Sequence, residues 1–135
     1  AGKAMTIFGD GTQTRDFTFV SDTALAIMLA GIEQAAIGRT INVGFGAEIS
    51  ISELARTVSS VVGREDTVIE HAPPRPGDVL RLHADTRLAK ELLGYEAKVT
   101  LREGLLALLD WYRGRGMDPE ELLEEEVERN WEGGT

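Results

Sequence analysis

Arg15 and Arg75 are the residues of this chain whose types and surroundings best suit chemistry, and that chemistry is anion binding. Arg15 follows Phe8-Gly9-Asp10-Gly11-Thr12-Gln13-Thr14 and precedes Asp16-Phe17-Thr18-Phe19-Val20-Ser21-Asp22, while Arg75 opens Arg75-Pro76-Gly77-Asp78. Glycine reaches positive φ without steric cost and proline fixes φ, so both arginines belong to stiffened loops. A guanidinium held in place grips phosphate with two parallel hydrogen bonds. The two residues are sixty positions apart. If their loops converge, they make a two-arginine clamp for a diphosphate. The alternative is that each pairs with a nearby acid, Asp16 or Asp78. Gln13 has the reach to join such a site, but reads more simply as an exposed turn residue.

Other candidate chemistry is thinner. Gly44-Phe45-Gly46 and Gly9-Asp10-Gly11 both invite a dinucleotide reading, yet neither completes G-x-G-x-x-G, since Thr14 and Ile49 stand at the third glycine's place. They read as tight strand-to-loop turns. Tyr95 is followed four places on by Val99, and Tyr112 by Gly116, so no Y-x-x-x-K pair is present. His71 and His83 are twelve apart, with no glutamate at metal-ligand spacing, and are expected to be structural or exposed. Trp111 and Tyr112 share a face with Leu105 and Leu108 and are expected in the core.

The elements that must position the arginines follow from the pattern. Residues 5–8 and 17–20 are short β-branched or aromatic runs, read as two strands of a hairpin around the glycine turn. Ser21 or Asp22 then caps a helix over 23–37 (Thr23 to Ile37), which Gly38 ends. Residues 24–30 are apolar without a break, so this helix needs burial on more than one side. A strand is expected at 39–43. Ser50-Ile51-Ser52-Glu53 is a capping box opening a helix to about Val62, and Thr100-Leu101-Arg102-Glu103 is a second, opening one to about Arg113. Residues 67–71 read as a strand, and Asp85 as the cap of a short helix to Leu93. Asp118-Pro119 begins a last helix with cap and proline in the preferred order.

Composition sets the outer limits. The chain has 135 residues, 42% of them hydrophobic, which suits one domain with an ordinary core. No apolar run reaches membrane-spanning length, and no secretory leader pattern opens the chain. With no cysteine there is no disulfide or thiolate chemistry, and the cytoplasm is the expected compartment. The net charge of −9 is uneven: residues 117–135 hold eight acids and one base, the remainder fifteen acids and thirteen bases. Without a basic excess, no nucleic-acid partner is expected. The acid run Glu124-Glu125-Glu126 reads as a solvated face of an acidic C-terminal helix and tail.

Taken together, G-D-G-x-Q-x-R-D-F-x-x-V-x-D, then Asn42-Val43-Gly44-Phe45-Gly46, then Arg75-Pro76-Gly77-Asp78 with Ala84-Asp85, resemble the extended short-chain dehydrogenase/reductase family. Its members include NAD-dependent nucleotide-sugar epimerases, dehydratases and decarboxylases. The likeness runs from about Ala4 to Trp111 and is to the family's C-terminal, substrate-binding part, without the cofactor-binding half. It implies an α/β lobe: a small mixed sheet of short strands with about five helices and no Rossmann domain. It also implies that Arg15 and Arg75 bind the phosphates of a UDP- or TDP-sugar and that Asp78 lies near the ribose. Thr6 and Phe8 would meet the base through their backbone. NAD would belong to the parent enzyme and no cofactor to this chain.

The reading is therefore a nucleotide-sugar-binding lobe over residues 1–116, with 117–135 as an acidic helix and tail of the same domain. It would not be catalytic alone. The absent cofactor domain, or a second copy of the chain, would cover the helix over 23–37. A free-standing interaction module and an inert fragment are the alternatives, the latter in keeping with the abrupt Ala1-Gly2-Lys3 start.

Overall fold

The computed structural model describes residues 3–116, 118 and 120. In chain order it contains β1 (Met5–Phe8), β2 (Thr14–Arg15), α1 (Val20–Ile32), a 3₁₀ turn (Gln34–Ala36), β3 (Ile49–Ser50), α2 (Ile51–Val62), β4 (Ile69–Ala72), β5 (Arg81–Leu82), α3 (Arg87–Leu93) and α4 (Leu101–Arg115). This is the expected small α/β lobe, with two short sheets rather than one. β1 runs parallel to β4, Met5 opposite Ile69 and Phe8 opposite Ala72. β2 is the middle strand of the other sheet, antiparallel to β3 and parallel to β5, with Arg15 opposite Ile49 and Leu82.

The hairpin expectation is therefore corrected. β1 and β2 do not pair, because the glycine turn between them is tied to the start of α2 instead. Ser52 N donates to Gly11 O and Ile51 N to Gln13 O, both at 3.0 Å. Gly11 is required there. Its φ is +77°, and a Cβ would stand 2.1 Å from Ser52 Oγ.

Residues 17–20 are not a strand either. Val20 already opens α1, whose cap residue is Phe19, with no side-chain capping bond. Asp22, expected as a cap, is 4% exposed and its carboxylate accepts from Lys98 N at 3.0 Å and Val99 N at 2.9 Å. It binds the loop before α4 to α1 rather than serving its own helix.

α1 also ends earlier than expected, at Ile32, before the 3₁₀ turn and the positive φ of Gly38. Residues 39–43 form no ladder among the described residues, and Ile41 contributes instead by packing on the core. Both capping boxes are present. Ser50 Oγ accepts from Glu53 N while Glu53 takes the Ser50 amide, and Thr100 and Glu103 do the same. Asp85 does not cap α3: Thr86 holds that place, and the Asp85 carboxylate binds the amide and guanidinium of Arg87. Asp118 Oδ1 accepts from Glu120 N at 2.8 Å, and the rest of the expected last helix lies outside the described residues.

The main core cluster is Ala26 of α1, Ala89 and Leu93 of α3, and Tyr95, with Leu29, Ala36, Ile41 and Ala97 against them, and Ile7 of β1 and Ala55 of α2 are buried as well. Small alanines let the helices approach closely, and Tyr95 supplies the volume. The opposite face of α1 is uncovered: Ile27, Met28 and Ile32 are 69%, 59% and 66% exposed. Trp111 and Tyr112, expected in the core, lie about half in solvent and stack edge to face at 5.0 Å, with Arg115 over the tryptophan. No helix among the described residues is long and apolar enough to cross a membrane.

Candidate functional site

One polar cavity of about 210 Å³ is lined by Thr6, Ile7, Phe8, Gln13, Arg15, Ile51, Arg75 and Asp78. All five residues singled out from the sequence as contacting a nucleotide stand on its wall. Each reaches it for a local reason. β1 carries Thr6 and Phe8 to the rim, held in register by β4. Arg15 sits on the central strand β2, fixed from both sides. Arg75 and Asp78 are the first and fourth residues of a β-turn closed by Asp78 N to Arg75 O at 3.2 Å. Pro76 and Gly77 take its middle, with φ +75° at Gly77, as a type II turn requires. That turn directs both end residues toward the same cavity.

The charges in the cavity are organised. Arg15 Nη1 donates to Thr14 O at 2.7 Å and Val79 O at 2.9 Å, and Nη2 pairs with the Asp78 carboxylate. Arg15 thus takes the acid pairing with Asp78 while lining the same cavity as Arg75. The Arg75 guanidinium lies over the Phe8 ring, 4.9 Å from its centroid. Gln13 is not an exposed turn residue: it is half-buried, and Nε2 donates to Phe8 O at 2.7 Å. His71 Nδ1 makes a 2.7 Å hydrogen bond with Gly9 O, and Asp10 accepts from the Thr12 amide and hydroxyl. The Thr12 hydroxyl, then its amide, hold the Asp10 carboxyl below its usual range.

Asp16 is the residue whose importance the sequence reading missed. Its carboxylate accepts from Phe45 N at 2.9 Å, Gly46 N at 3.0 Å and Ala84 N at 3.3 Å. It fastens the residue next to Arg15 to two distant loops. Gly44 permits this, since a Cβ there would stand 2.5 Å from Ala84 Cβ and 2.7 Å from Asp16 Oδ2. The available signal was the glycine pair in Gly44-Phe45-Gly46, which presents adjacent amides to an anion. Further along, Glu48 holds Arg81 at 2.6 Å and accepts from Thr14 Oγ1, and those bonds lower its pKa.

A second cavity, of about 320 Å³, lies between Phe17-Thr18-Phe19-Val20 and α4, where Leu101, Leu105 and Leu108 face it. It has no charged lining. Among the described residues no group of three acids or histidines is placed to hold a metal ion.

Two arginines, an aspartate and the edge of a strand around one small cavity suit a phosphorylated ligand, and the comparisons with known proteins carry that further. The family described as GDP-mannose 4,6 dehydratase matches residues 1–107. The chain belongs to the extended short-chain dehydrogenase/reductase family of nucleotide-sugar epimerases and dehydratases. It is 40% identical over 115 residues to a UDP-glucose 4-epimerase of Mycolicibacterium smegmatis, covering 85% of this chain and 36% of that one. Its fold matches a UDP-glucose 4-epimerase of Thermotoga maritima solved with UDP-glucose, at a TM-score of 0.79 and 34% identity, covering 86% of this chain and 37% of the other. A UDP-glucuronic acid 4-epimerase of Bacillus cereus, solved with NAD, matches at 0.73 and 32%, covering 86% and 36%. The chain thus spans about a third of the length of these members of the extended short-chain dehydrogenase/reductase family.

Proposed function

We propose that this chain is the nucleoside-diphosphate-binding lobe of an NAD-dependent nucleotide-sugar epimerase or dehydratase. The observation that carries the reading is the convergence of Arg15, Arg75 and Asp78 on one cavity beside the exposed edge of β1. Arg15 and Arg75 take the diphosphate through charged hydrogen bonds. Asp78, already tied to Arg15, accepts from the ribose hydroxyls. The backbone of Thr6 and Phe8 meets the base.

Binding energy gathered at the nucleotide orients the sugar toward a cofactor held elsewhere. NAD would oxidise a sugar carbon and later return the hydride. None of that chemistry is assigned to this chain, which contributes the positioning. Its sequence carries neither the completed dinucleotide fingerprint nor the tyrosine–lysine pair. The lobe's compartment is taken as the cytoplasm on its lack of cysteine.

The uncovered face of α1 and the apolar cavity beside α4 are the surface on which the remainder of the parent enzyme rests. Ile27, Met28 and Ile32 support this, as does a match that spans only about a third of its relatives' length. Separated from that cover, α1 is the surface through which copies of the chain associate.

Calorimetric titration with UDP, UDP-glucose and TDP-glucose tests the proposal. Saturable binding of at least one, lost in Arg15→Ala, supports the lobe. No binding to any of them, with the chain folded, overturns it in favour of an interaction module.

A further inference from the structure

Arg15 and Arg75 reach the same cavity but are held by different means. Arg15 is fixed by two carbonyl oxygens and a carboxylate. Arg75 projects from an exposed turn, and its guanidinium lies over the face of Phe8, 4.9 Å from the ring centroid. We propose that the Phe8 ring is a positioning residue, a shelf that holds the Arg75 guanidinium over the diphosphate cavity. This rests on the nucleotide-binding reading above.

Cation–π stacking engages the flat face of a guanidinium, whereas an anion is addressed by the N–H donors in its plane. The two interactions are thus compatible, and the ring limits the rotamers of a long side chain before a ligand arrives. The shelf is itself anchored. Phe8 lies opposite Ala72 in the parallel pair β1–β4, Gly9 N donates to Ala72 O at 2.9 Å, and Gln13 Nε2 holds the Phe8 carbonyl. One residue thereby joins both ends of the ligand: its backbone borders the base, and its side chain sets the phosphate-binding arginine. It also follows that the ring face under Arg75 is not a platform for the base.

The test compares UDP and pyrophosphate binding by the wild-type chain, Phe8→Leu, Phe8→Tyr, Arg75→Ala and the Phe8→Leu/Arg75→Ala double variant. Phe8→Leu is expected to weaken UDP binding about three- to tenfold. Pyrophosphate is expected to weaken in the same proportion, and Phe8→Tyr to bind as the wild type does. In the Arg75→Ala background the Phe8→Leu effect is expected to vanish. An equal loss in both backgrounds, or a loss confined to UDP, overturns the shelf and makes Phe8 a base-stacking residue. Wild-type chain that fails to bind UDP overturns the lobe reading along with it. Should Phe8→Leu not fold, the Arg75 side-chain proton shifts in the wild-type chain decide. Upfield shifts from the ring support the shelf, and random-coil positions overturn it.

Discussion

The Arg15 guanidinium pairs with the carboxylate of Asp78, sixty-three positions further along the chain, at the wall of the polar cavity of about 210 Å³. The same guanidinium also holds the Val79 carbonyl at 2.9 Å. Arg15 therefore joins the central strand to the turn that carries Arg75. Both partners are mostly shielded, with side chains 22% and 27% exposed, so the pair is less screened than an ordinary surface bridge.

Arg15→Ala removes the proposed phosphate donor and releases that turn. It is expected to weaken UDP binding by about 1.5–3 kcal/mol, the range for a hydrogen bond to a charged group. Titration at rising salt checks the origin of the effect. Wild-type affinity should fall with ionic strength, and the variant's should fall less.

Asp16→Ala leaves the amides of Phe45, Gly46 and Ala84 without their carboxylate acceptor. The expected loss of stability is about 2–3 kcal/mol, read as the midpoint of urea denaturation at an unchanged slope. A shift below half of that would mean water replaces the carboxylate at little cost.

Gly44→Ala and Gly31→Ala should have opposite signs. A Cβ at Gly44 collides with Ala84 and Asp16, so the variant is expected to lose about 1–3 kcal/mol. At Gly31, inside α1, nothing lies within 4 Å of a new Cβ, and alanine is expected to add about 0.5–1 kcal/mol. Thermal melts of the two variants side by side measure both.

Acid should loosen the chain below about pH 4. Bonds from Arg87 lower the Asp85 pKa from an ordinary 3.8 to about 2, and those from Ser50 and Thr100 lower Glu53 and Glu103. Carboxyls whose folded pKa is depressed contribute stability above the ordinary pKa and lose it as pH falls through the folded one. Helical circular dichroism is expected to be flat from pH 7 to 5 and to decline between about 4 and 2. Asp85→Asn should make that decline shallower, and an identical profile would remove Asp85 from the account.

Met28→Lys with Ile32→Lys places charge on the open face of α1, where both residues are mostly solvent-exposed. Sedimentation of the unaltered chain is expected to show concentration-dependent association. The double variant should remain monomeric with an unchanged melting temperature. Equal behaviour of the two proteins would remove α1 as the contact surface.

What the sequence by itself determined was local. The boxes Ser50-Glu53 and Thr100-Glu103 opened helices where they stand, because a cap is satisfied within four residues of chain. Arg75-Pro76-Gly77-Asp78 formed the turn its proline and glycine dictate. Thr6, Phe8, Arg15, Arg75 and Asp78 were singled out through motifs, the first two on a short strand and the others beside glycine and proline, and the fold sets all five around one cavity.

Tertiary structure decided which partners those local pieces take. β1 paired with β4 across more than sixty residues rather than with its neighbour β2, since the turn between them found amide donors on α2. Asp22 and Asp16, each plausible as a local cap or ion-pair partner, went instead to amides of remote loops. A carboxylate accepts from whichever N–H groups the fold leaves without a partner, and local spacing does not identify them. For the same reason the fate of α1 was undecided by its composition. A helix apolar on every side declares that it needs cover, while the neighbours present decide which side receives it.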